Sequence, residues 1–223
     1  MNQNYSTVAK RSTSALATNK VLRNTYMLLS MTLLFSGLTA ALSMFLNMPP
    51  MTYLVSVIGG MVIAMFVLPR FANSPADIGI VFLITGMLGF GLGPMLSMYA
   101  ALPNGGSIIT LSLGGTGVIF LGLSAYALAT QKDFSFLGGF LMVGFLLVLI
   151  AAVANIFLAI PAMSLAISAV VIMIMSGFIL YDTSRIIHGG ETNYVLATIG
   201  LYMTIFNIFI SLLQILGIMG NDD

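Results

Sequence analysis

Residues 179–192 read ILYDTSRIIHGGET and interrupt two long apolar runs, residues 161–180 and residues 195–219. The stretch contains Asp182 and the only histidine, His188. A carboxylate at the edge of an apolar helix bundle is costly unless a partner satisfies it or the protein uses it. Apolar runs separated by short polar turns recur along the whole chain, and this alternation decides the fold class.

The composition is that of a membrane protein. Of 223 residues, 59% are hydrophobic and 6% are charged, whereas soluble domains carry roughly 25% charged residues. The core of a soluble domain cannot bury this much apolar surface away from water. The surroundings of the folded chain must therefore be lipid. The net charge of +1 gives no reason to expect a nucleic-acid partner, and the absence of cysteine excludes disulfides and thiolate sites.

Seven apolar segments are long enough to cross a bilayer, which takes about 20 helical residues for ~30 Å of hydrocarbon. They are residues 25–46, 51–68, 78–102, 107–130, 134–160, 161–181 and 195–219. The sequence therefore predicts an all-α membrane protein with one seven-transmembrane-helix domain over residues 21–223, preceded by a separate segment, residues 1–20.

The segment 1–20 is rich in Ser, Thr and Asn and contains Lys10, Arg11 and Lys20 but no acidic residue. Such a composition predicts a disordered basic tail. Two interpretations fit it. The tail is either a contact site for another protein or only an anchor that sets membrane topology.

The positive residues all fall on one side of the predicted spans, before span one or in the loops after spans two, four and six. They are Lys10, Arg11, Lys20, Arg23, Arg70, Lys132 and Arg185. Loops rich in Lys and Arg stay cytoplasmic. We therefore predict a cytoplasmic N-terminus and, after an odd number of spans, a C-terminus on the opposite side.

Span three contains a proline in its interior, Pro94. Proline removes a backbone donor and clashes with the preceding turn, which predicts a kink near residues 89–94. Gly89 and Gly93 stand four residues apart, so another helix can approach closely there. The kink is either a packing feature or a moving hinge.

Span seven carries a polar stripe at helical spacing: Gly200, Thr204, Asn207, Ser211 and Gln214. Amide side chains facing lipid would lack hydrogen-bond partners, so the stripe is predicted to face inward. It serves either interhelical hydrogen bonding or the lining of a polar pathway.

The motifs of common membrane enzymes are missing. A single histidine cannot form an H-E-x-x-H metal site, and the chain has no G-x-S-x-G and no phosphate-binding G-x-x-x-x-G-K-[ST]. The sequence predicts a protein that is not an enzyme and has neither cofactor nor resident metal.

Asp182 follows Pro161 by about 30 Å of helix at 1.5 Å per residue, which places it at the inner membrane boundary. Arg185 stands one turn later and can pair with it. Asp182 is therefore either part of a solvated helix end with ordinary charge pairing or a titratable carboxylate facing the bundle, which gates a helix by changing its charge.

Four segments of the chain resemble the Bax inhibitor-1 (transmembrane Bax inhibitor motif) family. They are GFILYDT at 177–183, KDFSFLGG at 132–139, GLGP at 91–94 and LYMTIFNIF at 201–209. The tail, the missing cysteines and RIIHGGETNYVLAT most resemble its bacterial YccA-like branch. The resemblance implies a seven-helix bundle with the last helix at the centre.

The resemblance also implies two candidate activities. Members of the bacterial branch modulate the membrane AAA protease FtsH, which implies a non-catalytic inner-membrane regulator with an FtsH-type complex as partner. The alternative is a pH-sensitive calcium leak channel, in which aspartates of spans six and seven pair. Asp182 stands at the first position, but Thr204 replaces the second aspartate. Calcium is implied only by the channel alternative, where Asp182, Thr204, Arg185 and Asn207 are the candidate gate or ion site.

Overall fold

The chain folds into helices that are long enough to cross a membrane. The computed structural model describes the backbone of residues 3–220 and the side chains of residues 20–220. This part contains no β-strand. Its helices are α1 (Gln3–Phe45), α2 (Met51–Val62), α3 (Leu68–Phe71), α4 (Asp77–Ala100), α5 (Gly105–Thr130), α6 (Leu137–Leu158), α7 (Pro161–Ile187) and α8 (Tyr194–Met219), and the π-helical turn Ile63–Val67 joins α2 to α3.

The seven predicted spans are confirmed. Within the described residues, seven helical segments are long and apolar enough to cross a bilayer: Lys20–Phe45 of α1, Met51–Phe71 formed by α2 and α3, and each of α4 to α8. The protein is thus an all-α membrane protein.

Most span boundaries differ from the prediction by a few residues, and two of these differences concern the ends of spans two and six. Span two does not end at residue 68 but continues to Phe71, because Pro69 stands in the first turn of α3, where a missing N–H is tolerated. Span six continues past Tyr181 to Ile187. The second difference matters more, because it places Asp182 within α7 and Arg185 in its last turn, rather than after the end of the helix.

The last helix, α8, lies at the centre of the bundle, as the resemblance implied. In its most apolar 18-residue window 67% of residues are buried, against 6% for α6. Tyr202 of α8 shares a hydrogen bond of 2.6 Å with the Ser36 hydroxyl of α1. Its hydroxyl also lies 3.3 Å from the Thr85 carbonyl oxygen of α4, to which it donates. α8 is therefore hydrogen-bonded to helices on more than one side.

The glycines of α4 let α1 pack at backbone distance. A Cβ atom added at Gly89 would meet the carbonyl oxygen of Ser36, and one added at Gly93 would meet the Ser43 side chain. The predicted close approach is therefore present, and its partner is α1. α4 continues without interruption through Pro94, and the kink predicted there stays a prediction.

The basic residues of the described chain gather at one end of the bundle. Lys20 lines the same cavity as Asn193 of the α7–α8 loop. The carbonyl of Lys132, in the α5–α6 loop, accepts a hydrogen bond from Ser184 near the end of α7. At the opposite end, Asn104 donates to the Gly220 carbonyl at 3.0 Å. The Lys and Arg residues of the described chain therefore share one end of the bundle, as predicted from the loops.

The start of α1 at Gln3 differs from the disordered tail predicted for residues 1–20. The side chains before Lys20, those of Lys10 and Arg11 among them, lie outside the described residues. The disorder of this segment and its role both stay predictions.

Candidate functional site

Asp182 lies on the face of α7 that packs against α8. A Cβ atom at Gly200 would stand 3.4 Å from the Asp182 Oδ2 atom, so the absence of a side chain at Gly200 leaves room for the carboxylate. The carboxylate borders a cavity of about 120 Å³ between the two helices, which Arg185 and Glu191 also line. Asp182 is thus half-buried next to the central helix rather than at a solvated helix end.

Arg185 pairs with Glu191 and not with Asp182. Its Nη2 atom lies 3.6 Å from the Glu191 Oε2 atom, and this is the salt bridge found among the described residues. The guanidinium also lies over the Tyr181 ring, 5.5 Å from the centroid. The spacing between positions 182 and 185 allowed a pair, but the turn after α7 brings Glu191 to the arginine instead.

The loop between α7 and α8 is held by its own hydrogen bonds. The second oxygen of Glu191, Oε1, accepts the N–H of Asn193 at 2.9 Å. The Asn193 side chain caps α8 by accepting from the N–H groups of Val195 and Leu196. Glu191 therefore fixes Arg185 and the start of α8 at the same time.

The polar stripe of α8 faces α7. At one end Gly200 contacts Asp182, and at the other the Gln214 Oε1 atom accepts from the Ser168 hydroxyl at 2.8 Å. Between these contacts, Thr204 and Asn207 donate hydrogen bonds within α8 itself. The Thr204 hydroxyl donates to the Gly200 carbonyl at 3.1 Å, and the Asn207 amide donates to the Met203 carbonyl at 2.8 Å.

These contacts favour hydrogen bonding over a polar pathway as the role of the stripe. Gln214 supplies an interhelical bond, whereas Thr204 and Asn207 use their donors on their own backbone. Thr204 stands one turn from Gly200 and offers a hydroxyl where a proton-sharing pair needs a second carboxylate. Glu191, the other acid on the cavity beside α8, is paired with Arg185, so Asp182 has no free carboxylate partner there. The arrangement does not favour the calcium leak alternative.

A hydrogen-bonded cluster around Ser184 was not predicted from the sequence. The Ser184 hydroxyl accepts the N–H of Phe134 at 2.9 Å and lies 3.3 Å from the Lys132 carbonyl oxygen, so it ties the α5–α6 loop to α7. The His188 Nδ1 atom lies 2.9 Å from the Ser184 carbonyl oxygen. No local sequence signal marks a serine late in a helix as such a link, because its partners are about 50 residues away.

The α5–α6 loop also contains an acidic residue just before α6. The Asp133 Oδ1 atom accepts the N–H of Ser135 at 2.8 Å. Hydrogen bonds from the Ser135 side chain and backbone lower the pKa of Asp133. Asp133 therefore stays ionised and caps the turn that precedes α6.

Replacing Asp182 with asparagine is expected to raise the free energy of unfolding by about 1 kcal/mol, since a half-buried carboxylate without an ion-pair partner costs desolvation energy. The salt bridge of Arg185 with Glu191 stays intact in this variant. Thermal unfolding in detergent measures the change. The matched variant Glu191→Gln breaks that salt bridge and is expected to lower stability by up to about 1 kcal/mol. Equal losses in both variants would show that Asp182 has a stabilising partner.

Comparison with known proteins identifies close relatives. A family profile described as "Inhibitor of apoptosis-promoting Bax1" matches residues 18–221. The chain is 53% identical to a protein of Escherichia coli K12 named "Modulator of FtsH protease YccA", over 94% of this chain and 95% of the relative. It is 50% identical to an uncharacterized membrane protein of Vibrio cholerae, over 93% of each chain. An uncharacterized protein of Pseudomonas aeruginosa is 50% identical over 91% of each chain.

Proposed function

This chain belongs to the Bax inhibitor-1 family, and on that premise we propose that it is a bacterial inner-membrane modulator of an FtsH-type AAA protease. The observation that carries the proposal is its similarity, over nearly the whole chain, to the Escherichia coli protein named as a modulator of that protease. The similarity covers 94% of this chain and therefore includes the membrane bundle.

We propose that the protein acts by binding and not by catalysis. The chain contains no cysteine and a single histidine, His188. His188 is exposed and engages the Ser184 carbonyl at the end of α7. The described contacts do not join this histidine to Asp182 as a nucleophile with a base, the minimal set for hydrolysis. Interhelical hydrogen bonds such as those of Tyr202 and Gln214 hold the helices in place, which suits the bundle to present fixed surfaces to a partner.

The basic end of the bundle is the end proposed to face the cytoplasm. Positive residues are retained on the cytoplasmic side of bacterial membranes. With that orientation, the segment before Lys20 and the α5–α6 and α7–α8 loops lie in the cytoplasm. The C-terminal end, tied to the α4–α5 loop by Asn104, lies in the periplasm. A polar N-terminal segment is something that a protease which pulls on unfolded ends can engage.

Purification of the tagged full-length chain from native membranes tests the proposal. We expect the FtsH-type protease to co-purify, and we expect loss of the chain to shorten the half-lives of that protease's membrane substrates at least twofold. A tagged, unrelated multi-span protein expressed at the same level is the control for non-specific capture. Unchanged substrate half-lives together with no co-purified protease would refute the proposal.

A further inference from the structure

A cavity of about 620 Å³ lies at the basic end of the bundle. Its wall includes Lys20 and Asn24 of α1, Asn73 of the loop before α4, Asp77 at the start of α4, and Asn193 and Tyr194 at the start of α8. This volume is in the range of small-molecule sites, roughly 300–1,000 Å³. The cavity is separate from the small one beside Asp182.

The depth of the cavity is that of lipid headgroups. Two membrane-spanning helices begin at residues that line it, α4 at Asp77 and α8 at Tyr194. The start of a span marks the boundary between hydrocarbon and the polar interface. A ligand in this cavity therefore meets the layer that contains the phosphate and the terminal group of a phospholipid.

Asp77 is a buried carboxylate that lacks a cation. Its side chain is 7% exposed. The Oδ1 atom accepts the N–H of Ile78 at 2.7 Å, a bond within its own helix turn, and the described residues provide no salt bridge to this carboxylate. A carboxylate with no counter-charge among the described residues can accept charge-assisted hydrogen bonds from a cationic group that enters the cavity.

Lys20 supplies the opposite charge in the same cavity without pairing with Asp77. Its ammonium and the Asn24 amide have no hydrogen-bond partner among the described residues, while the Asn73 oxygen already accepts from the Asn193 amide at 2.9 Å. Ammonium and amide N–H groups bind phosphate oxygens. The cavity thus offers one place for an anion and one for a cation, which is the charge pattern of a zwitterion.

We propose that this cavity binds the headgroup of a phosphatidylethanolamine, with its ammonium at Asp77 and its phosphodiester at Lys20 and Asn24. A primary ammonium donates hydrogen bonds to a carboxylate, whereas a choline group cannot and is recognised instead by aromatic cages. Tyr194 is the one aromatic residue in the wall, so the cavity selects ethanolamine over choline. Phosphatidylglycerol has no cation for Asp77 and is disfavoured too.

Native mass spectrometry of the delipidated full-length protein tests this inference. The probes are dioctanoyl phosphatidylethanolamine, phosphatidylglycerol and phosphatidylcholine. We expect ethanolamine lipid to bind about tenfold more tightly than the other two, the effect of one charge-assisted hydrogen bond. Equal retention of all three lipids by the unmodified protein overturns the inference without any need for a variant.

Two variants test which residue binds the ammonium of the headgroup and which binds its phosphodiester. Asp77→Asn, nearly the same shape, is expected to lower ethanolamine-lipid binding about tenfold and to leave phosphatidylglycerol binding unchanged. Lys20→Gln, at an exposed position, is expected to weaken all three lipids several-fold. The matched controls Asp133→Asn and Lys132→Gln lie at the same end of the bundle outside the cavity and should change nothing. If Asp77→Asn keeps the unfolding temperature and the lipid preference of the unmodified protein, the assignment is wrong. The test does not depend on the protease proposal.

Discussion

Gly89→Ala is expected to lower the free energy of unfolding by about 2 kcal/mol, the usual cost of overpacking a tight core. A Cβ atom at Gly89 would lie 2.5 Å from the Ser36 and Thr39 hydroxyl oxygens and would also meet the Ser36 carbonyl oxygen. A carbonyl oxygen belongs to the backbone of α1 and cannot rotate away. The whole helix must therefore move off α4, and the hydrogen bond of Ser36 with Tyr202 of the central helix is expected to weaken.

Gly114→Ala is the matched control for this prediction. Gly114 also lies inside a membrane-spanning helix, but a Cβ atom there meets nothing within 4 Å. Alanine is the better helix former by about 1 kcal/mol in water, so this variant is expected to be as stable as the unmodified protein or more so. Unfolding midpoints in detergent compare the two variants. Equal midpoints for Gly89→Ala and Gly114→Ala would mean that α1 does not pack on α4 at Gly89.

Removal of residues 2–19 is expected to abolish the slowing of FtsH-type proteolysis while leaving the bundle folded. Among the described side chains, those that pack on the core begin with Val21 and Leu22, which the deletion keeps. A protease that pulls on unfolded ends loses its point of engagement. Half-lives of a membrane substrate should return to those of cells without the chain, and an unchanged unfolding temperature shows that the bundle is intact.

Two controls separate the contributions of length and charge. Lys10→Gln with Arg11→Gln keeps the tail length and removes two of its charges, so retained activity points to length and lost activity to charge. Deletion of residues 221–223 shortens the other end of the chain and is expected to leave substrate half-lives unchanged. Full slowing of proteolysis by the protein without residues 2–19 would assign the protease contact to the bundle and its loops.

The number of spans and the membrane class could be predicted because they depend on local quantities. Length and hydropathy belong to each segment alone, and the segments 78–102 and 195–219 match α4 and α8 to within two or three residues. The end of α7 was placed too early because a few polar residues near the membrane boundary resemble a loop. In the folded protein Ser184 of this last turn is buried against the α5–α6 loop, which keeps the turn helical.

The sequence predicted which residues belong to the candidate site, but it did not predict which residues they contact. Asp182 and Arg185 were identified from charge in an apolar context, yet the arginine pairs with Glu191 and the aspartate lies beside Gly200. Helical spacing shows only which residues of one helix share a face. It does not show how a neighbouring helix is rotated or how far it is displaced along its axis.

The sequence by itself determined that this is a membrane protein and how many segments can span the bilayer. It also determined that the basic residues share one end. The tertiary structure decided which helix is central, which glycines admit a neighbouring backbone, and where the cavity with Asp77 and Lys20 forms. The physical reason is that lipid, and not water, surrounds the helices. Lipid and helix interior are about equally apolar, so hydropathy marks a span without specifying its neighbours. Close packing at small residues and a few hydrogen bonds determine which helices are neighbours. These contacts exist only between segments that are far apart in the chain.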